Sequence, residues 1–584
     1  MLFSEACSVF EKMEATSKRL ELTDMLSKLL SKAGEDTEML VYLVQGKIAP
    51  DYEGIELGMS EKLIAKALVS ITSMDEKEIA RMMARSGDMG TVSQEVIAER
   101  VQSTLEKQDI TVKRVFNALT EIAQTSGEGS VTKKLALYKD LVLNGTPVEA
   151  KYITRIITGK MRLGVSDATI ITALVAAFSY EGDPAEIENA YNCHPDMGYI
   201  AGLLRKGLTD KIREASPQPL VPVKVMLAER LTSVDEILEK LGGTCAAEYK
   251  YDGLRTQIHF DGKTVKIFSR GTEETTSNFP DIVRAFTETF HCKSCILDGE
   301  SVPYNPETGE LYPFQMVSQR RGRKYDLEGK LHEIPIVVFL FDILYLDGSS
   351  LLAVPYPERR KKLESLFTEN DHFKPATRIV SSNAHEIMEF FERSISDGCE
   401  GIVAKSVGAD SYYRAGARGW QWIKFKRDYQ KELSDSLDLV VLGAFSGHGR
   451  RKGTYGALLM GVYDHRRDIF ETVCKLGTGF TDDVLFNLPK ILADYRSPNK
   501  PNNVNSILEP DVWFYPSIVL EVRGAEITVS PVHTCAFSSV VSGSGLSLRF
   551  PRFTGNFRKD KKGDQCTTTE EVLSMFNNQK KKGA

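Results

Sequence analysis

The chain has no apolar run that approaches the ~20 residues needed to cross a bilayer, so no membrane-spanning helix is predicted. Cysteine is scarce, with nine residues among 584. Cys292 and Cys295 form a Cys-Xaa-Xaa-Cys pair, but no second pair lies at the distance of a zinc ribbon, which excludes that module. We interpret the two as reduced thiols before a strand, with a local metal or redox role as the alternative. The N-terminus does not resemble a secretory signal peptide, and a reducing cytoplasm is the expected compartment.

An excess of positive charge is also missing. Lys and Arg number 74 against 80 Asp and Glu, for a net charge of −6, which argues against a protein that coats nucleic acid nonspecifically. Local basic patches can nevertheless follow a phosphate backbone whatever the total charge. Such concentrations lie at 320–324, 414–431, 450–452 and 558–562.

A chain of 584 residues is too long for one hydrophobic core, so several domains are expected. Apolar residues recur at helical spacing before about residue 215, and Ser-Pro-Gln-Pro at 216–219 is typical of a linker. Strands and helices are mixed from about Val221 to Asp428. Beyond Tyr429, short strands and frequent glycine turns indicate a small barrel. We therefore predict domains at 1–215, 221–428 and 429–584.

Lys250 begins the sequence Lys-Tyr-Asp-Gly, and Arg255 follows two residues after the glycine. A lysine amine is a nucleophile only when neutral, and at pH 7.5 its neutral form costs about 4 kcal/mol. A site that uses a lysine in this way needs desolvation and neighbouring positive charge. Lys424 and Lys426 are candidates for that charge, because alternate residues of a strand face the same side.

The order of the motifs after Lys250 carries the functional prediction. They are Ser269-Arg270, Leu297-Asp298-Gly299-Glu300, Phe341-Asp342, Glu400-Gly401-Ile402-Val403-Ala404-Lys405, Trp422-Ile423-Lys424-Phe425-Lys426 and Arg549-Phe550-Pro551-Arg552-Phe553. From about Gly87 to the C-terminus, this succession resembles the ATP-dependent DNA ligases of the archaeal replicative type. The resemblance implies a multidomain α+β chain. Its parts would be an all-helical DNA-binding domain, a mixed α/β nucleotidyltransferase domain of the ATP-grasp-like adenylation kind and a C-terminal OB-fold β-barrel.

The resemblance implies that Lys250 attacks the α-phosphorus of ATP and then carries AMP. Phe341 would stack on the adenine, with Phe339 as the alternative on the same strand face. Glu248 precedes Lys250 by two residues and so points to the same side of its strand, where a carboxylate could accept from the adenine amino group and reject guanine. ATP is therefore favoured over GTP. The other predicted ATP ligands are Arg255, Arg270, Glu300, Arg418, Lys424, Lys426, Arg558 and Lys561.

Glu300 and Glu400 each adjoin a glycine at an apolar strand. The resemblance implies that they hold a divalent ion and the ribose. Because oxygen ligands and phosphate chemistry suit a hard cation, Mg²⁺ is the predicted metal. Arg558 and Lys561 belong to the last family motif, which orients the leaving pyrophosphate. Asn556 stands where related archaeal sequences often have a basic residue, which puts one phosphate contact in doubt.

Residues 155–165 combine basic side chains with glycines, and a loop at 87–90 begins and ends with glycine. Glycine lets backbone approach phosphate closely. A helix end closed by glycine is the alternative that these residues leave open, and the resemblance favours a contact with the minor groove across a nick. The predicted DNA contacts are Arg155, Lys160, Arg162, Arg450, Arg451 and Lys452.

The sequence thus predicts an enzyme, an ATP-dependent DNA ligase. It would seal 3′-hydroxyl/5′-phosphate nicks in duplex DNA through a lysyl-AMP and an adenylated 5′-phosphate, in replication, repair and recombination. Expected partners are nicked duplex DNA and, from the resemblance, a sliding clamp, with the chain itself a monomer. One alternative is an mRNA-capping guanylyltransferase, which the helical first domain and Glu248 disfavour. The other is a non-catalytic nick-binding clamp of the same fold.

Overall fold

The computed structural model describes residues 1–72, 74–99, 109–305, 311–312, 316, 335–426, 436–447, 453–524 and 526–581. The chain divides into two compact units, Met1–Phe425 and Lys426–Ala584. The regions predicted as helical and as mixed strand and helix both belong to the first unit. Within the described ranges, no helix is long and apolar enough to cross a membrane.

The first part of the first unit is helical, as predicted. Phe3, Phe10 and Met13 are fully buried because their spacing puts them on one face of the first helix. The helices are α1 Phe3–Glu14, α2 Arg19–Ala33, α3 Thr37–Val44, α4 Glu61–Val69, α5 Glu76–Ser86, α6 Met89–Ala98, α7 Val112–Gln124, α8 Ser130–Asn144, α9 Pro147–Ile157, α10 Asp167–Ala177, α11 Pro184–Cys193, α12 Met197–Arg205 and α13 Thr209–Arg213.

Two sheets form the mixed region that follows. The first has the strand order β1-β11-β10-β2-β9 and the second β4-β3-β5-β6-β7, with β8 paired to β6. The strands are β1 Leu227–Arg230, β2 Cys245–Lys250, β3 Leu254–Phe260, β4 Val265–Ser269, β5 Cys295–Pro303, β6 Ile336–Leu346, β7 Ser349–Ser350, β8 Phe373–Pro375, β9 Arg378–Ser381, β10 Gly401–Ser406 and β11 Arg418–Lys426. The helices are α14 Val234–Lys240, α15 Pro280–Thr289, α16 Tyr356–Leu366 and α17 Ala384–Ser396.

Alternation along the strands separates an apolar face of each sheet from a more polar one. Ile402, Ile423 and Phe425 of the first sheet pack with Phe390 and Phe391 of α17. Leu297 and Ile343 of the second sheet pack with Phe286 of α15. The residues one position away, Ile296, Leu344 and Trp422, belong to a separate cluster shared by the two sheets. Lys250 and its partners lie on this shared side, so the two sheets together position the site.

The second unit is rich in strands, which agrees with the predicted third region. Its main path is β15-β17-β12-β13-β14-β16, and β18 pairs with both β12 and β21. The strands are β12 Leu437–Ser446, β13 Tyr455–Asp464, β14 Ile469–Leu476, β15 Arg496–Ser497, β16 Val504–Asn505, β17 Val512–Phe514, β18 Val519–Arg523, β19 Glu526–Ser530, β20 Gly545–Arg549 and β21 Arg552–Phe557. The helices are α18 Asp482–Ile491 and α19 Thr569–Lys581.

Candidate active site

Lys250 ends β2 and lies opposite the beginning of β10. The antiparallel register pairs Lys250 with Gly401, and the Glu400 N–H donates to the Lys250 carbonyl at 2.8 Å. As a result, Lys250 Nζ lies 2.5 Å from Glu400 Oε2. The two side chains are 27% and 30% exposed, so this contact remains open to solvent and ligands. The structure therefore brings together two predicted residues that lie far apart in the chain.

Glu300 lies on β5 directly opposite Arg255 of β3. The turn between Lys250 and β3 passes closely over β5, which explains the glycine of the motif. A Cβ on Gly253 would lie 2.5 Å from the Ser301 carbonyl oxygen and 2.9 Å from Glu300 Cγ. Only glycine allows this approach without moving β5, and that approach brings Lys250 toward Glu300.

Glu300 lies among other charged groups. Burial raises its pKa to about 7, and Asp298 and Glu400 add to the rise, whereas Lys250 and Arg255 oppose it. A cation bound between these carboxylates would relieve their repulsion. Across the described ranges, no three His, Cys, Asp or Glu side chains converge as a metal cage. Glu300 and Glu400 nevertheless fit Mg²⁺, which is usually bound by one or two carboxylates together with phosphate and water oxygens.

Arg255 is held in place by a buried carboxylate. Its Nε donates to Asp298 Oδ1 at 2.9 Å and its Nη2 to Asp298 Oδ2 at 2.6 Å, and the Tyr413 hydroxyl donates to the same Oδ2 at 2.8 Å. Asp298 is fully buried. Neither partner was predicted to have a role. Asp298 stood within the Leu-Asp-Gly-Glu motif, but no local pattern indicated Tyr413.

Glu248 is more enclosed than the sequence predicted. Its Oε1 accepts from the Tyr356 hydroxyl at 2.5 Å and from Arg360 Nη1 at 2.9 Å, and its Oε2 accepts from Lys405 Nζ at 2.5 Å. The Glu248 side chain is 2% exposed. The predicted adenine acceptor is thus a buried carboxylate with three donors. Tyr356 and Arg360 belong to α16, and no spacing in the sequence connects them to β2.

Phe341 lies among the polar residues of the site. Lys405 Nζ and Arg255 Cζ lie 4.7 Å and 5.0 Å from its ring centroid, and Trp422 meets it edge-on at 6.0 Å. Phe339, the alternative, stacks on Tyr251 at 3.9 Å and is buried in the apolar core. Phe341 is therefore the better placed of the two for a nucleotide.

Lys424 and Lys426 alternate along β11 with buried Ile423 and Phe425. Trp422 lies two residues before Lys424 and therefore faces the same side of the strand as the two lysines. Its ring centroid lies 4.4 Å from Lys405 Nζ. Lys405 shares its sheet face with Lys250, since the register pairs it with Ala246 of β2. The β11 lysines thus lie on the Lys250 side of the sheet. Arg418, which begins β11, and Arg270, which follows β4, are both exposed.

Arg558 and Lys561 lie in the second unit and share one carboxylate. Arg558 Nη1 donates to Asp438 Oδ2 at 2.5 Å and Lys561 Nζ donates to the same oxygen at 2.6 Å. Arg558 also donates to both oxygens of Asp560, at 3.0 and 2.7 Å. The two predicted pyrophosphate ligands therefore lie together, and both remain partly exposed.

Of the predicted DNA contacts, Arg155 has to be corrected. Its side chain is 2% exposed and donates to Glu14, Asp88 and the Met161 carbonyl. These are five hydrogen bonds, which equals the number of N–H donors of a guanidinium, so none is left for a phosphate. Sequence reasoning failed because the glycines around Arg155 suggested a close approach to phosphate, whereas α9 is almost wholly buried.

The other predicted DNA contacts have different surroundings. Lys160 is exposed and pairs with Glu61 at 3.0 Å, and Arg162 is half-buried and donates to the Gly87 carbonyl at 2.6 Å. Arg450, Arg451 and Lys452 lie outside the described residues, as do the basic positions 320–324. Cys292 and Cys295 are free thiols, the first half-buried and the second buried.

The chain matches three family descriptions in succession: "DNA ligase N terminus" at 2–175, "ATP dependent DNA ligase domain" at 225–426 and "ATP dependent DNA ligase C terminal region" at 451–561. It is 59% identical over 581 residues to the DNA ligase of Thermoplasma volcanium, covering 100% of this chain and 99% of that one. It is 46% identical over 589 residues to DNA ligase 2 of Thermofilum pendens, covering 99% and 98%. The solved structure named Pmar-Lig_PreS3 has a similar fold, with a TM-score of 0.56, 17% identity and coverage of 94% and 99%. The chain belongs to the family of archaeal ATP-dependent DNA ligases.

Proposed function

We propose that Lys250 carries AMP from ATP to the 5′-phosphate at a nick in duplex DNA, and that the chain thereby seals 3′-hydroxyl/5′-phosphate nicks. The observation that carries this proposal is the contact between Lys250 Nζ and Glu400, with Glu300 and Arg255 on two paired strands of the second sheet. A reactive amine, two carboxylates and an arginine meet there on strands that the surrounding core holds in place.

The reaction has three in-line substitutions at phosphorus. Neutral Lys250 Nζ attacks the α-phosphorus of ATP, the bond to the β-phosphate oxygen breaks, and pyrophosphate leaves as a phosphoramidate forms. An oxygen of the 5′-phosphate then attacks the AMP phosphorus and releases the lysine. Finally the 3′-hydroxyl oxygen attacks the 5′-phosphorus, its proton is lost, and AMP leaves. Such steps depend mainly on positioning and charge neutralisation.

The first step requires Lys250 to lose a proton. Glu400 lies 2.5 Å from the ammonium, so its carboxylate is an acceptor within hydrogen-bond reach. Lys424 and Lys426, on the same side of the sheet, add positive charge that attracts the triphosphate. Arg270 and Arg418 are the exposed cations proposed for ribose or phosphate contacts.

Glu300 and Glu400 would hold Mg²⁺, which would neutralise charge on the α-phosphate and on the departing pyrophosphate. Burial, with added repulsion from Asp298 and Glu400, raises the pKa of Glu300, and this supports the assignment. Arg255 keeps its geometry through Asp298, whether or not an ion is bound.

Adenine selection would use the one carboxylate oxygen of Glu248 that retains acceptor capacity. Each carboxylate oxygen has two lone pairs. Oε1 already accepts from Tyr356 and Arg360, whereas Oε2 accepts from Lys405. The remaining lone pair of Oε2 suits the adenine amino group, and guanine presents a carbonyl oxygen that cannot donate to it. Phe341 would supply the stacking surface.

Nicked duplex DNA is the proposed partner, bound in part by the helical region. Lys160 and Arg162 are the described basic residues proposed for the phosphate contacts. A monomeric chain and a sliding-clamp partner remain predictions that rest on the family resemblance. Replication, repair and recombination are the processes in which such sealing is needed.

Incubation with labelled ATP, GTP or NAD tests the proposal. We expect ATP alone to give a covalent label that is acid-labile and maps to Lys250, and the labelled protein to seal a nicked duplex without added nucleotide. A label from GTP or NAD, or a labelled protein that cannot seal, would contradict the proposal.

A further inference from the structure

Two glycine-containing loops of the helical region are joined by one buried arginine. The first, 87–90, joins α5 to α6 and includes the first two residues of α6, and the second, 158–164, follows α9. Arg155 Nε and Nη2 donate to Asp88 Oδ2 at 3.0 and 2.6 Å, and Arg155 Nη1 donates to the Met161 carbonyl at 3.4 Å. In the other direction, Arg162 Nη2 donates to the Gly87 carbonyl at 2.6 Å. Segment 87–90 is therefore bonded both to Arg155 of α9 and to Arg162 of the loop 158–164.

Close packing supports the same arrangement. A Cβ on Gly90 would lie 2.6 Å from Arg155 Cγ and 2.8 Å from the Lys151 carbonyl oxygen, so α6 approaches α9 as closely as glycine permits. Asp88 also caps α6 by accepting from the Gly90 N–H at 3.1 Å. The loop 87–90 is consequently fixed in both position and direction by Arg155.

Glu14, at the end of α1, binds Arg155 from another side. Arg155 Nη1 and Nη2 donate to its two carboxylate oxygens, each at 2.9 Å. Glu14 belongs to neither loop. It therefore stabilises the arginine without touching the surface that the loops form.

Of these two segments, loop 158–164 is the accessible one, because Asp88, Met89 and Gly90 are buried. Gly159 and Lys160 are exposed, and a Cβ on Gly159 would have no atom within 4 Å. Gly159 has a φ of +65°, which favours glycine and leaves its backbone uncovered. Uncovered backbone beside Lys160 and Arg162 has the chemistry that contacts phosphate oxygens.

We infer that Arg155 is a positioning residue for DNA binding, which ties loop 158–164 to the start of α6 and so holds the exposed backbone of Gly159, with Lys160 and Arg162, in place for the nicked duplex. The inference rests on the proposed function, in which the helical region binds that duplex. It replaces the direct phosphate contact that the sequence suggested for Arg155 with an indirect role.

The test compares two full-length variants that each remove one carboxylate charge from Arg155. Asp88→Asn weakens the hydrogen bonds between Arg155 and the start of α6, whereas Glu14→Gln weakens the hydrogen bonds between Arg155 and the end of α1. We expect Asp88→Asn to raise the KM for nicked duplex about tenfold, with kcat and the rate of self-labelling by ATP within about twofold of wild type. Glu14→Gln should leave the KM for nicked duplex within about twofold of wild type. This should hold even if Glu14→Gln lowers the unfolding temperature as much as Asp88→Asn does.

A rise of KM in both variants in proportion to their lost stability would overturn the inference, and so would an unchanged KM in Asp88→Asn. Gly90→Ala serves as a second variant, since it separates α6 from α9 without removing a charge. It should also raise KM selectively, and it decides the question if Asp88→Asn does not fold. A wild-type chain that neither labels with ATP nor seals nicks would instead contradict the proposed function.

Discussion

Arg155 in the helical region and Lys250 in the nucleotide site are both cations beside carboxylates, but they differ in what their donors do. Arg155 has all five N–H groups in hydrogen bonds and a side chain that is 2% exposed. Lys250 meets Glu400 in a pair that is about one-quarter to one-third exposed. A saturated, buried cation stabilises structure, whereas a partly exposed pair can exchange its partner for a ligand.

The carboxylates show the same contrast. Burial raises the pKa of Glu14, but the hydrogen bonds and charges of Arg155 and Lys151 outweigh it and lower the pKa to about 2. At Glu300 burial dominates instead and the pKa rises to about 7. The charge of Glu14 is thus compensated by its neighbours, whereas that of Glu300 is not. Incomplete compensation costs stability and leaves a place for a cation and phosphates.

Lys250→Arg is expected to produce the largest effect. A guanidinium keeps the positive charge but cannot lose a proton to become a nucleophile, so self-labelling with ATP should fall by more than about a thousandfold. Binding of nicked duplex should change little. Gel analysis with labelled ATP measures the first and a binding assay the second. Retained labelling would place the nucleophile elsewhere.

Glu300→Gln tests the uncompensated carboxylate. The folded-state pKa of about 7 lies above the ordinary value of 4.5, so the folded chain binds this proton more tightly. The associated stability is present below about pH 4.5 and is lost as pH rises through 7. That difference corresponds to at most about 3 kcal/mol in the free energy of unfolding.

We expect wild type to lose more stability than Glu300→Gln between pH 5 and pH 8, as measured by urea unfolding. Identical pH profiles would show that Glu300 is already compensated, and the contrast with Glu14 would disappear. Glu288→Gln, on exposed α15 surface, is a matched control that should follow the wild-type profile.

Arg558→Ala with Lys561→Ala tests cations of the second unit that share Asp438. Their proposed role concerns pyrophosphate, which is present only in the first step. Formation of the Lys250 adenylate should slow about a hundredfold, and sealing of a nick that already carries AMP should remain near normal. Lys559→Ala, an exposed neighbour, is the control. Equal loss on pre-adenylated nicks would mean that the pair contacts DNA or holds the fold.

Tyr356→Phe is expected to have the smallest effect. It removes one donor from Glu248 and leaves Arg360 and Lys405, so the carboxylate should be less strictly oriented. Discrimination between ATP and GTP in self-labelling should fall by up to about tenfold, with little loss of the ATP rate at saturation. Tyr304→Phe, which loses a hydroxyl donor to the Asp371 carbonyl, is the control. An unchanged preference for ATP over GTP would show that Tyr356 does not contribute to base selection.

The sequence determined the family, the helical, mixed and strand-rich succession, and the motif that contains Lys250. These depend on local periodicity and on residue order, which a sequence displays directly. It also indicated Glu400 and Glu300, because each adjoins a strand and a glycine within a motif.

Only the tertiary structure decided which charges are satisfied. Tyr356 and Arg360 reach Glu248 from a helix more than 100 residues away, and Tyr413 reaches Asp298 from a loop of comparable separation. The same is true of Arg155, whose glycine-rich surroundings suggested a phosphate ligand until Glu14 and Asp88 were found to occupy its donors. Hydrogen-bond saturation and burial depend on contacts between distant segments, so local sequence patterns cannot reveal them.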